Sequence, residues 1–273
     1  MITPMEAKIG IDVSEHQGCI AWDLVKNHID FAIIRVGYGR NHIDKQFKRN
    51  INECVRLNIP VGAYWFSYAL SANDAVNEAK YCCEALNPYH LDLPIAFDWE
   101  YDSDTNASSN NVVITNAIRA NFARNFLNTV KEHGREPMLY TNQDYLNKGF
   151  RVFLDSGVKI WLAQWSGETP KVNCYMWQYS SKSKVAGIAG NVDANKIVIK
   201  DKNDGNDDKN DDVNFKWFSD KETHDRLLQY DQTADGVISG YYGNGLVRVE
   251  RLKSAGYDPV LVQYIVNYKM KNG

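Results

Sequence analysis

Leu93-Pro94-Ile95-Ala96-Phe97-Asp98-Trp99-Glu100 reads as a short buried strand that ends in two acids. Side chains alternate along a strand, so Asp98 and Glu100 project to one side and Trp99 to the other. Carboxylates closing an apolar run are costly unless water, a partner or a substrate receives them. Asp-x-Glu is also a common tripeptide, and taken alone, a solvated strand end is the better account of it. The surrounding sequence decides between the two.

Working outward, residues 8–199 alternate between apolar strands and amphipathic helices. Strands are expected at Lys8–Val13, Phe31–Val36, Pro60–Phe66, Leu93–Asp98, Pro137–Tyr140, Ile160–Trp165, Cys174–Tyr179 and around Gly187–Val192. Helical spacing links Phe47, Ile51, Cys54 and Val55, then Ala75, Ala79, Cys82 and Leu86, then Ile114, Ile118, Phe122, Phe126 and Val130. This alternation predicts an α/β fold, an irregular eight-stranded (β/α) barrel of the TIM-like type. The irregularity belongs to the last three strands, which leave too little sequence between them for full helices.

The polar residues cluster at one end of these strands. Asp12 ends the first, Asp98 and Glu100 the fourth, Tyr140 and Asn142 the fifth, Gln164 and Trp165 the sixth. Gln178 lies near the end of the seventh and Asp193 follows the eighth, all read as carboxyl ends of parallel strands. That is the face on which barrel enzymes carry their sites. The amino ends begin instead with Lys8, Pro60, Pro94 and Pro137. Tyr38, Tyr64, Phe66, Trp99, Tyr101, Tyr140, Trp165 and Trp177 fall near the same mouth, with Trp161 and Phe97 expected in the core. Aromatic walls around acids suit the apolar faces of sugar rings, and paired carboxylates are what glycosidic hydrolysis requires.

With 273 residues and a net charge of -3, the chain shows no basic stripe interleaved with aromatics, which argues against nucleic acid. Met1–Lys8 has no apolar core of signal-peptide length, and no run is long enough for membrane insertion. Synthesis in the cytoplasm, with five reduced structural cysteines, is the expectation. The six histidines show no ligand spacing, so neither metal nor cofactor is called for.

Residues 200–213 are charged and self-repelling, the composition of a flexible linker. Residues 214–273 read as a small, mainly helical domain, with helices in part of Asp220–Tyr230 and at Thr233–Ser239, Leu246–Ser254 and Pro259–Lys269. Leu227, Leu228, Val237, Ile238, Leu252, Val262 and Ile265 would form its core. Asp231–Ile238 opens like a calcium loop, but the twelfth position is Tyr242, which supplies no carboxylate.

Asp12-Val13-Ser14 with Gln17-Gly18, Asp98-Trp99-Glu100, Tyr140-Thr141-Asn142, Ala163-Gln164-Trp165 and Val192-Asp193-Ala194-Asn195 together resemble the signature of glycoside hydrolase family 25. These are N-acetylmuramidase lysozymes, common among bacteriophage endolysins. The resemblance spans residues 8–198 and implies cleavage of the β-1,4 bond between N-acetylmuramic acid and N-acetylglucosamine in peptidoglycan. It makes Glu100 the general acid and Asp98 the second central carboxylate, with Asp12 and Asp193 flanking. Tyr64, Phe66, Tyr140, Asn142, Gln164, Trp165 and Gln178 are the expected substrate-binding residues. Asp98 could be a nucleophile, activate water or polarise the substrate's own 2-acetamido group. Two other readings share the fold: a non-catalytic peptidoglycan-binding protein and a chitin-type glycosidase.

From Val237-Ile238 through Gly243-Asn244-Gly245, Arg248, Arg251-Leu252, Ala255-Gly256-Tyr257-Asp258 and Val262-Gln263, the chain is similar to the cell-wall-binding repeats of some phage lysozymes. Arg251, Tyr257 and Asp258 are the candidate wall contacts. A single copy binds weakly, and a homo-oligomer formed through this domain would add avidity. The resemblance implies release to the cell wall of the host by something other than a classical signal.

Overall fold

The computed structural model describes residues 8–154, 156–198, 233–234 and 236–257, with 259, 262, 263, 266 and 270 beyond them. The chain divides into two compact units, Met1–Asn210 and Asp211–Gly273. The charged stretch 200–213, the helix expected within Asp220–Tyr230 and Asp258 lie outside the described residues.

In the first unit nine strands form one sheet: β1 (Ile9–Val13), β2 (Phe31–Tyr38), β3 (His42–Ile43), β4 (Val61–Phe66), β5 (Ile95–Asp98), β6 (Pro137–Asn142), β7 (Lys159–Ala163), β8 (Met176–Ser183) and β9 (Val192–Ile197). β1 pairs with both β2 and β9, so eight strands close into a barrel while β3 only extends β2. Neighbours from β1 through β8 around the barrel are parallel. β9 is antiparallel to both β8 and β1.

That last strand corrects the sequence reading in place and direction. A parallel return needs a crossover of a dozen or more residues, and the link from Ser183 to Val192 is too short for one. Gly187 and Gly190, at φ of 99° and 88°, help turn the chain straight back. Asp193 therefore begins β9 rather than following a parallel strand, and this alone brings it to the mouth shared by the carboxyl ends of the others.

Helices fill the earlier connections: α1 (Trp22–Val25), α2 (Phe47–Leu57), α3 (Ala72–Leu86), α4 (Tyr101–Ser109), α5 (Asn116–Glu132) and α6 (Gln143–Asn147). Ser71 Oγ accepts from Asp74 N–H to start α3, and Thr115 Oγ1 accepts from Ile118 N–H to start α5. The periodic faces bury as spaced: Ala75, Ala79, Cys82 and Leu86 on α3, and Ile118, Phe122, Phe126 and Val130 on α5. On α2 the buried face is Phe47, Asn50, Ile51, Cys54 and Leu57, and Val55 is exposed. Asn50 belongs inside because its Oδ1 accepts from the buried Trp22 Nε1 at 3.1 Å.

Period-two alternation splits each strand between two environments. Outward residues such as Ile11, Ile34, Trp65, Phe97 and Leu139 are buried on the helix side. Inward residues form a lower apolar layer from Phe31, Ile33, Ala96, Met138, Met176 and Ile197, beneath Tyr64, Tyr140 and Trp161. A Cβ on Gly10 would collide with the Phe31 ring, so that glycine makes room for the plug. One layer higher, the inward positions turn polar, and that change creates the site.

In the second unit a helix runs Gly245–Ser254. Ala234, Val237, Leu252, Val262 and Val266 form a small core, with Tyr242 and Tyr257 packed against it. Ile238, expected inside, is largely exposed, and Leu227, Leu228 and Ile265 lie outside the described residues.

Candidate active site

Asp12, Arg35, Tyr64, Phe66, Asp98, Glu100, Tyr140, Trp161, Gln178 and Asp193 line one pit of about 190 Å³ at the barrel mouth, with Val13, Ser14, His16 and Gln17 on its wall. Register assembles it. Asp98 pairs with Phe66 on one side and Tyr140 on the other, and Asp12 pairs with Asp193. β5 ends at Asp98, yet Glu100 keeps an extended backbone (φ −126°, ψ −175°), so the alternation runs one step past the strand. Trp99 turns outward, fully buried beside Phe122 and Phe97. The two acids therefore share the pit.

Beneath them, Asp104 anchors the turn. Its carboxylate accepts from Trp99 Nε1 at 3.1 Å, from the Arg119 guanidinium at 2.7 and 2.8 Å, and from Tyr145 Oη at 2.7 Å. Trp99 is thus clamped between the acids it separates. Glu100 N–H donates to Ser103 Oγ at 3.1 Å, which fixes the start of α4.

The carboxyls differ in their surroundings. Asp12 Oδ2 accepts from Asn195 Nδ2 at 2.7 Å and Gln178 Nε2 at 3.0 Å, and Asn195 Oδ1 in turn accepts from Trp161 Nε1 at 2.8 Å. Asp98 Oδ1, by contrast, is buried with no hydrogen-bond partner among the described residues. Burial raises Glu100 to about 7, reinforced by Asp193 and Asp102. Burial also pushes Asp12 up to about 8, with Asp193 adding to it, and Asp193 to about 6. Asp98 is held well above the usual carboxylate range by burial, then by Glu100 and Asp12, against the pull of Arg35. Arg35 itself is tied to Asp44 at 2.8 Å and Glu15 at 3.1 Å, so its charge is partly spent outside the pit.

Eight of the residues singled out from sequence meet here: Asp12, Tyr64, Phe66, Asp98, Glu100, Tyr140, Gln178 and Asp193. Three do not line the pit. Asn142 caps α6, its Oδ1 accepting from Tyr145 N–H at 2.9 Å. Gln164 turns its amide to Ser166 Oγ at 3.2 Å and Glu168 O at 2.8 Å. Trp165 is 58% exposed, with its indole N–H donating to Gln178. Strand alternation turns Gln164 away, one step past the inward Ala163, whereas Asn142 keeps the parity of Tyr140 and is drawn off as the cap of α6 at the end of β6. Arg35, Trp161 and Asn195 belong to the site and were not foreseen. An arginine inside the apolar run of Phe31–Val36 was the legible signal for the first. Trp161, expected as core filler, is both core and pit floor.

Among the described residues no group of three or more His, Cys, Asp or Glu is placed to hold a metal ion. All five cysteines are unpaired, and only Cys19 is exposed. In the second unit, Arg248 is a structural clamp, donating to Gly243 O, Gln263 Oε1 and Asn244 Oδ1. Arg251 is exposed, while Tyr257 packs on the small core.

Both units of the chain resemble known proteins. Residues 231–270 match the CW_7 repeat. Lysozyme M1 of Streptomyces globisporus is 29% identical over 204 residues, 69% of this chain and 67% of that protein. The lysozyme of Streptococcus phage Cp-7 is 25% identical over 275 residues, 94% of this chain and 68% of its own length. Among solved structures, the modular autolysin LytC from Streptococcus pneumoniae, solved with a synthetic peptidoglycan ligand, is 30% identical with a TM-score of 0.59. The match covers 71% of this chain and 47% of that one, so this chain spans about half the autolysin's length. The model of glycosyl hydrolases family 25 matches residues 11–188, most of the barrel, and the chain belongs to that family, a glycoside hydrolase of the lysozyme kind.

Proposed function

We propose that the pit cleaves the β-1,4 bond between N-acetylmuramic acid and N-acetylglucosamine in bacterial peptidoglycan, with Glu100 as general acid. The observation that carries this is the environment of Glu100, raised to about 7 by burial and by the acids facing it. A carboxyl so placed holds its proton near neutrality and can give it to the departing sugar oxygen. Asp98 offers a bare, buried Oδ1 to the sugar. Hydrogen bonds from a bound substrate would favour its ionised form and let it stabilise the positive charge that develops at the anomeric carbon. Asp193 and Asp102 supply the negative field that keeps the acid protonated, and Tyr64, Phe66 and Tyr140 provide the walls.

The second unit holds the enzyme to the wall, and homo-oligomers formed through it raise avidity. The protein is made in the cytoplasm of the host and reaches the wall after release, as an endolysin does. A Glu100→Gln variant incubated with purified cell walls tests the central assignment. Lysis should fall roughly 100- to 10,000-fold with the fold intact by circular dichroism, and unchanged lysis rejects Glu100 as the acid. Wild-type products should carry muramic acid at their reducing ends. Glucosamine there would point to another glycosidase.

A further inference from the structure

β3 lies outside the closed ring of strands, yet the hairpin that carries it, residues 37–43, is closely built. Gly39 N–H donates to Phe66 O at 3.0 Å, and Asp44 N–H donates to Val36 O at 2.9 Å. A Cβ on Gly37 would collide with the His42 carbonyl and the Trp65 ring. One on Gly39, where φ is 51°, would lie 3.2 Å from the Tyr68 ring. Asp44, 2% exposed, ties the foot of the hairpin to the pit, because it accepts from Nε of the pit-lining Arg35 at 2.8 Å. Four rings run outward along this hairpin. Phe66 lines the pit, and its centroid lies 5.1 Å from that of Tyr68. Tyr68 meets Tyr38 edge-on at 6.4 Å, and Tyr38 stacks on His42 at 5.3 Å with the planes 6° apart. Phe66, Tyr68 and Tyr38 are half-buried, and His42 is exposed. Rings that only stabilise a hairpin need neither a path to the pit nor an open side. This row has both.

We infer that Phe66, Tyr68, Tyr38 and His42 form a shelf that binds the glycan strand beyond the sugars at the scissile bond. Aromatic faces suit the apolar faces of sugar rings, and the phenol hydroxyls and the imidazole offer polar tips beside them. Continuity with the pit names the occupant, since a polymer seated in the pit has to leave it over some surface and the row begins at Phe66. The spacing of the rings is on the scale of the repeat of a β-1,4 glycan, so successive sugars can meet successive rings. None of the four carries an acid, so the shelf contributes recognition and leaves the chemistry to the pit. The inference deepens the muramidase reading of the pit and rests on it.

The test compares two peptide-free glycan fragments of peptidoglycan, a tetrasaccharide and an octasaccharide, as substrates of the full chain. Wild type should favour the octasaccharide in kcat/KM per scissile bond. Tyr38→Ala and His42→Ala should each lower that value about 3- to 10-fold and leave the tetrasaccharide near the native rate. A binding arm follows the His42 ring signals by NMR in the full-length Glu100→Gln variant. The octasaccharide should shift them, and the tetrasaccharide should leave them in place. An equal loss on both lengths, a wild type indifferent to length, or a His42 ring that does not respond to the octasaccharide overturns the shelf. Should Tyr38→Ala fail to fold, the exposed His42 variant decides. If wild type cleaves neither fragment, the muramidase reading fails, and the His42 signals alone judge the shelf.

Discussion

Asp12 on β1 and Asp193 on β9 are register partners, set directly opposite each other across the closure of the barrel. Directly opposed residues of an antiparallel pair point to the same face, and two carboxyls in such contact cannot both ionise cheaply. The pair therefore holds a proton that neither residue would keep in water. This acid couple, built by the one strand that runs against the others, faces Glu100 across the pit.

Asp193→Asn should relax Glu100. Asp193 is the foremost charge acting on it after burial. Removing that charge lowers the Glu100 midpoint, so the alkaline limb of wall lysis should move toward acid by about one pH unit. Burial persists, so the midpoint stays above that of a free glutamate. A limb that does not move would mean that Asp193 does not act through Glu100.

Stability should decline with alkali because of Glu78. This buried residue accepts from Ser67 Oγ at 2.6 Å and Tyr68 N–H at 2.9 Å, and burial raises it from 4.5 to about 8. Its folded-state pKa lies above the unfolded value, so its contribution is full below 4.5 and is lost as pH rises through 8. Glu78→Gln can keep both bonds, since a serine hydroxyl also accepts. The variant should therefore melt at a higher temperature than wild type at pH 8.5 and show a flatter pH dependence of Tm. Parallel Tm curves for the two proteins would exclude Glu78 as the source.

Asp104→Ala should damage both fold and turnover. It strips the shared partner from Trp99, Arg119 and Tyr145 and leaves the buried Arg119 guanidinium without its carboxylate. Urea unfolding should show a loss of about 2–4 kcal/mol, somewhat less than for a fully buried pair because Asp104 is partly open to water. Because Trp99 sits between the two central acids, kcat should fall more than KM rises. The reverse split would place the effect in substrate binding.

Leu252→Ala should separate the two units functionally. Leu252 is buried in the small core of the second unit. Truncating it costs about 2–5 kcal/mol, more than a core of that size can spare. Sedimentation with purified walls should show weakened binding, while cleavage of a soluble glycan fragment stays near the native rate. Equal loss in both assays would contradict separate roles.

Much of the barrel could be read from residues alone because strand and helix periods are local properties. The apolar spacing of Ile118, Phe122, Phe126 and Val130 needs no knowledge of what it packs against. The same alternation placed Asp98 and Glu100 together with Trp99 behind them, as the structure has it. The order of short motifs likewise pointed to family 25, whose model matches residues 11–188.

What periodicity lacks is direction and company. The reversal of β9 depends on how much chain is available to cross back, and only closure against β1 shows which end of that strand carries Asp193. Asn142 and Gln164 looked like pit residues by position, but a helix cap and a loop claimed their polar atoms first. Gln178 and Asp12, 166 positions apart, form one hydrogen bond because the barrel closes between them. Sequence alone determined which residues could do acid chemistry and at which mouth they gather. Tertiary structure decided which of them press on Glu100, because charge repulsion depends on distances that only the closed barrel sets.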